Sequence, residues 1–152
     1  MVLDDLKELH YITPIDNMKS IAVNGIVSHQ KAEKIPHQSV AMNEIQERRR
    51  KVVVPGGRPL HQYVNLYFHA LNPMMFKRKD FHAELCIVIV NKGILNLPRV
   101  VITDGNASSC DCQKLLESFA AGYSSLVEGM ISLVKKPMSG LTFQHDKNIL
   151  VV

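Results

Sequence analysis

Apolar positions early in the chain recur at helical spacing. Ile15, Met18, Ile21 and Ala22 fall on one face of ITPIDNMKSIAVNGI, which predicts a short amphipathic helix. Thr13 and Asp16 are its candidate caps, and Gly25 after Asn24 is its stop. VSHQKAEKIPHQ has no such period and carries a proline, so it reads as a loop. SVAMNEIQERRRK predicts a second helix from Ser39 to Lys51, capped by Ser39 and anchored by Val40, Met42 and Ile45, with VVVPGGRP ending it. YVNLYF, AELCIVIV and RVVIT are rich in β-branched and aromatic residues and read as strands. NPMMF, between the first two, is a proline-marked bend. DCQKLLESFAAGYSSLVEGMISLVK predicts one or two helices broken near Gly122, PMSGLTFQHDK a loop, and ILVV a closing strand. Helices, then strands, then helix and strand make an α+β fold, not a regularly alternating α/β sheet. No internal repeat divides the chain, so residues 1–152 are expected to form a single domain.

Composition narrows the class. A chain of 152 residues with 46% hydrophobic and 21% charged residues is long enough to bury a core. The net charge of +4 suits a phosphate or nucleic-acid partner, and equally suits mere solubility. Three cysteines and an opening stretch without an apolar signal core point to a reducing compartment, hence a cytoplasmic protein. Cys110 and Cys112 are too close in sequence for a zinc finger, and Cys86 lies inside LCIVIV as a small core residue. No metal is therefore expected, and no apolar run reaches the roughly 20 residues that span a bilayer.

The candidate chemistry lies in three places. Arg48, Arg49, Arg50 and Lys51 are consecutive, so on a helix at most one or two of them face a given ligand. The rest would be a solvated, dipole-complementing helix end. His10, Tyr11 and Thr13 sit where a strand end meets the first helix and are placed to line a pocket or simply to pack. TDGNASS is a turn by composition, with Asp104 and Asn106 as turn formers or polar site residues. Neither GxGxxG nor GxxxxGK[ST] occurs, nor GxSxG or HExxH, which removes the commonest nucleotide, hydrolase and metalloprotease readings.

Taken together, HYITPIDNMKSIAVNGI, SVAMNEIQERR, PLHQYVNLYFHALNPMMF and VVITDGNASS resemble, in order and spacing, the DarT-type DNA ADP-ribosyltransferases, over roughly the first two-thirds of the chain. The resemblance implies an ADP-ribosyltransferase fold with a split central β-sheet and flanking helices. It implies NAD as donor, a base of single-stranded DNA, typically thymine, as acceptor, and a toxin whose antitoxin partner removes ADP-ribose. It places Arg49 on NAD, with Tyr11, Thr13 and Tyr67 lining the NAD pocket, and makes Asn106 a further pocket candidate. The family's tyrosine–histidine pair stands here in the inverted order His10–Tyr11.

One departure matters. The family needs a glutamate on a late strand to polarise the ribose and take the base proton, but HDKNILVV offers Asn148 or Ile149 there. Glu84 matches an earlier family strand, which leaves Glu128 and Asp146 as candidates. Two readings stay open: an active NAD-dependent DNA ADP-ribosyltransferase, or an inactive NAD- or single-stranded-DNA-binding module on the same fold. A third, with RNA as acceptor, differs by its tolerance of the 2′-hydroxyl.

Overall fold

The first described element is a strand, β1 (Glu8–Pro14), in the computed structural model, which describes residues 6–54, 56–103, 107 and 108 and the backbone of 114–116 and 149–151. Strand β1 delays the first helix. A 3-10 turn (Ile15–Asn17) follows, and α1 runs only from Met18 to Asn24. Met18 and Ile21 pack on the core as expected, whereas Ala22 is exposed and Ile15, out of phase in the tighter turn, is 49% exposed. Neither Thr13 nor Asp16 caps α1; the N-cap position is Asn17, whose side chain is engaged elsewhere. Gly25 does end it, with φ 73° and its N–H on the carbonyl of Ile21.

A short α2 (His29–Ala32) occupies part of the segment read as a loop. The second predicted helix, α3, spans Asn43–Lys51 and starts four residues late, because the Ser39 hydroxyl accepts from the Ala41 N–H in a local turn instead of capping a helix. Strand β2 (Val64–Leu66) is the centre of YVNLYF. The expected bend at NPMMF closes into a short helix, α4 (Pro73–Lys77), because Asn72 accepts from the N–H groups of Met74 and Met75 and proline sits in the first turn. The remaining strands among the described residues are β3 (Leu85–Asn91), β4 (Val100–Thr103), β5 (Lys114–Leu116) and β6 (Ile149–Val151). Strand β5 lies inside the stretch predicted as helix, where antiparallel pairing to β4 overrides local propensity. The rest of that stretch lies outside the described residues.

The sheet is split. Strands β1 and β3 pair antiparallel, and β2-β6-β4-β5 form a second sheet in which β6 runs parallel to both β2 and β4. A two-bond bridge between His10 and Tyr67 stitches the sheets: His10 N–H donates to the Tyr67 carbonyl at 2.8 Å, and Tyr67 N–H to the His10 carbonyl at 2.9 Å.

Period-two alternation sorts β4 between two cores. Val100 and Ile102 join Leu9, Val64, Leu66 and Val90 in the larger cluster, and Val101 joins Val54, Leu60 and Tyr63 in the smaller. The smaller cluster fixes the turn that follows α3. Gly57 N–H closes that turn on the Val54 carbonyl at 2.8 Å, and Gly56 takes φ 65°. A Cβ on Gly57 would stand 2.7 Å from the Tyr63 hydroxyl and 2.9 Å from Val54 Cγ1, so the turn is packed as tightly as core. Leu60 N–H donates to the Val52 carbonyl at 3.0 Å, locking the end of α3 to this cluster.

Candidate functional site

Arg48, Arg50 and Lys51 are exposed, while Arg49, rotated inward between them, is 7% exposed. Its Nη2 donates to Asn65 Oδ1 at 2.6 Å. Asn65 can meet it because Val64 and Leu66 on either side point into the larger core, which turns the residue between them to the opposite face of β2. The Arg49 Nε is buried without a hydrogen-bond partner, and no carboxylate among the described residues pairs with the guanidinium. Burial lowers its pKa, with the neighbouring Tyr67 opposing that shift, but a guanidinium remains a cation throughout the physiological range. Desolvating a cation without a counter-ion costs several kcal/mol, on the order of what a bound anion returns. Arg50, by contrast, meets Glu47 at 3.3 Å on the surface, a contact worth little.

Around Arg49 opens a cavity of about 470 Å³. Tyr11, Thr13, Tyr67, His29 and Gln46 are among its walls. Tyr11 hydrogen-bonds the Thr13 side chain, and burial raises the pKa of both Tyr11 and Tyr67, so the two phenols stay protonated and available as donors. Thr13, at 2% exposure, accepts from Asn17 Nδ2 at 3.2 Å. That same amide nitrogen donates to the Gln38 carbonyl at 2.7 Å, and the Gln38 N–H returns a bond to Asn17 Oδ1 at 2.9 Å. From the far side Arg78 Nε donates to the Val40 carbonyl at 2.8 Å. The segment from Gln38 to Met42 is thus pinned at two points along one wall.

Arg49, Tyr11, Thr13 and Tyr67 therefore line one cavity. His10 does not join them. Its Nε2 lies 3.4 Å from Glu8 Oε1, its Nδ1 is buried without a partner, and its backbone forms the bridge that holds Tyr67. Glu84 ends a 3-10 turn (Lys79–Glu84), is exposed and is not part of the cavity wall. Asn106, Glu128 and Asp146 lie outside the described residues. Among the described residues no Asp or Glu lines the cavity, and no group of three His, Cys, Asp or Glu side chains is set to hold a metal. No described helix is long and apolar enough to cross a membrane.

Sequence reasoning missed Asn65, Gln46, Asn17 and the histidine pair. A polar residue in mid-strand, as in VNL, was the available signal for Asn65. Gln46 precedes Arg49 by one helical turn and shares its face. The His29 ring, in the cavity wall, meets the His61 ring at 4.4 Å between centroids with a 52° tilt, and burial lowers both pKa values from the ordinary value, reinforced by the Arg49 charge.

The split sheet with flanking helices is shared with solved DarT ADP-ribosyltransferases. The chain belongs to the DarT family: the family model described as "ssDNA thymidine ADP-ribosyltransferase, DarT" matches residues 10–121. It is 39% identical over 116 residues to a DNA ADP-ribosyl transferase–DNA ADP-ribosyl glycohydrolase fusion protein of Thermosipho africanus, a match covering 70% of this chain and 29% of that one. It is also 39% identical over 70 residues to a DNA ADP-ribosyl transferase of Thermus sp., covering 45% and 34% respectively. Two solved structures share the fold, each over 72% of this chain. Thermosipho africanus DarTG in complex with ADP-ribose has a TM-score of 0.67 at 37% identity, with 30% of that chain covered. Thermus sp. 2.9 DarT in complex with ADP-ribosylated single-stranded DNA has 0.63 at 27%, with 58% of that chain covered. The chain spans about a third of the length of the curated relatives it matches.

Proposed function

We propose that this chain carries an NAD-dependent transferase site that places ADP-ribose on a base, thymine in the leading reading, of single-stranded DNA. The observation that carries it is Arg49: a cation 7% exposed, with Asn65 as its sole hydrogen-bond partner among the described residues, in a cavity of ligand size. A diphosphate supplies the missing negative charge, and a planar guanidinium meets it with forked, charge-assisted hydrogen bonds. Tyr11, Thr13 and Tyr67 offer hydroxyls to the ribose and nicotinamide parts. In the step itself the bond from ribose C1 to the nicotinamide nitrogen breaks, and its electron pair leaves with neutral nicotinamide. A base nitrogen then bonds to C1 and its proton passes to a carboxylate. Glu128 and Asp146 are the proposed carriers of that role. The position of Arg49 favours the separated state by holding the diphosphate still while C1 becomes cationic. A partner that removes ADP-ribose, as antitoxin to this toxin, completes the proposal; the glycohydrolase half named in the Thermosipho fusion protein supports it.

A second reading, an inactive NAD- or strand-binding module, is favoured by the lack of any carboxylate on the described part of the cavity wall. Mass spectrometry of a mixed-sequence single-stranded oligonucleotide incubated with the protein and NAD separates the two. An added ADP-ribose mass, lost in Glu128→Gln or Asp146→Asn, is the expected result. No added mass, with NAD binding intact in the same preparation, establishes the inactive module.

A further inference from the structure

At the cavity rim and beyond it, three large exposed apolar side chains fall on one segment. Leu71 is 74% exposed, Phe76 75% and Phe81 47%, all within a dozen residues that also carry Lys77, Arg78, Lys79 and His82. The cations and rings are interleaved in space as well as in sequence. Lys79 Nζ lies 5.8 Å from the centroid of the Phe76 ring, and Arg78 Cζ 5.9 Å from that of Phe81. Nothing in the packing of the described residues explains this display, since α4 already turns Met74 and Met75 inward as half-buried residues while Phe76 is exposed. The segment is continuous with the cavity: Leu71, Lys77 and Arg78 line its rim, and Arg78 also holds the Val40 carbonyl of the pinned wall.

We propose that residues 71–82 are the surface along which single-stranded DNA lies on its way to the cavity, with Phe76 and Phe81 stacking bases and Lys77 and Lys79 taking phosphates. This rests on the transferase reading for the class of acceptor, but its binding function needs no chemistry. Exposed rings beside cations match unpaired bases, whose faces are open, and not duplex DNA, whose faces are already stacked. Asp80 and Glu84, also exposed, keep the local charge low. Affinity here therefore depends on the rings at least as much as on charge.

Fluorescence anisotropy of a labelled mixed-sequence single strand, with the 152-residue chain and no NAD, tests the assignment. Removing a base–ring stack weakens binding by about 5- to 150-fold, so F76A/F81A is expected to bind at least tenfold more weakly. F76L/F81L, which keeps the apolar surface, should lose most of the same affinity. K77Q/K79Q should lower the slope of log affinity against log salt by about 1.4, or roughly 0.7 for each phosphate contact. Titration of NAD and thermal melting should be unchanged in both phenylalanine variants, because those side chains are exposed and stand outside the cavity wall. Equal strand affinity in F76A/F81A and wild type overturns the platform, as does equal affinity for duplex, tighter binding of RNA than DNA, or no binding of DNA by wild type. The two proposals fail separately. Lost strand binding in the phenylalanine variants with no ADP-ribose transfer by wild type leaves the platform standing without the transferase. Transfer with an unaltered KM for DNA in those variants does the reverse.

Discussion

Arg49 and its neighbours Arg48 and Arg50 share chemistry, helix and sequence context, yet lie in opposite worlds. One is 7% exposed against Asn65; Arg50 carries a guanidinium 62% exposed, in loose contact with Glu47. Each step along a helix turns the side chain by about 100°, so three consecutive residues cannot all face one site. Burial is what converts an arginine from a solubility group into a binding group. In water its charge is screened; against Asn65 and the Tyr67 phenol it is worth several-fold more per contact.

The sharpest way to break this contrast is substitution on both sides of it. Arg49→Met should weaken NAD binding by about 100-fold or more, the loss of a buried charge-assisted fork being on the order of 3 kcal/mol. Arg48→Ala should stay within about twofold, and calorimetric titration of NAD reads both. Equal small effects would remove Arg49 from the site. The same Arg49→Met variant is expected to melt higher than wild type, by roughly 2–4 °C, because an unpaired buried cation is replaced by an apolar chain of similar length. A binding residue that costs stability is the signature of function held against packing; a lower melting temperature would mean that the guanidinium serves the fold.

A second comparison sets the turn after α3 against the arginine it positions. Gly57→Ala forces a methyl into the 2.7 Å and 2.9 Å approaches of Tyr63 and Val54. It is expected to destabilise the fold by about 1–3 kcal/mol, read by chemical denaturation. Since Val52 and Leu60 join α3 to this turn, NAD affinity should fall as well, though less than in Arg49→Met. Loss of stability with unaltered affinity would show that α3 holds Arg49 without help from the turn.

Much of this was legible in the sequence, for identifiable reasons. The strands YVNLYF, AELCIVIV and RVVIT announce themselves because burial demands β-branched and aromatic side chains there. The inward turn of one arginine follows from helical geometry alone. What stayed hidden depended on contacts distant in sequence. Asn17 takes the N-cap position of α1 but spends its side chain on Thr13 and Gln38, and Asn72 makes a helix of a proline bend. β5 forms inside a helical pattern because β4 offers an edge to pair with. His10, half of a pair inverted from the family's order, contributes its backbone to the bridge with Tyr67 and is not part of the cavity wall.

The histidines beside Arg49 give the smallest and most discriminating test. Burial, and then the positive charges around them, hold the pKa values of His29 and His61 below 6.5; Arg49 and Arg50 act on both, with Glu33 opposing. In the unfolded chain both rings take up a proton near the ordinary value, whereas in the folded chain they resist it. Their neutral forms thus support the fold fully above about pH 6.5, and that support drains away as the pH falls through 6.5 toward their lower folded values. The melting temperature of wild type should therefore drop between pH 7 and pH 5. His61→Gln should flatten part of that drop by removing one titrating ring. Arg49→Met should flatten a smaller part by removing one of the charges that repel the imidazolium forms, while Arg48→Ala, which does not act on either ring, should leave the curve as it is. If Arg48→Ala and Arg49→Met shift the pH profile equally, the two arginines are not electrically distinct, and the contrast between the inner and outer faces of α3 fails where it is most directly measured.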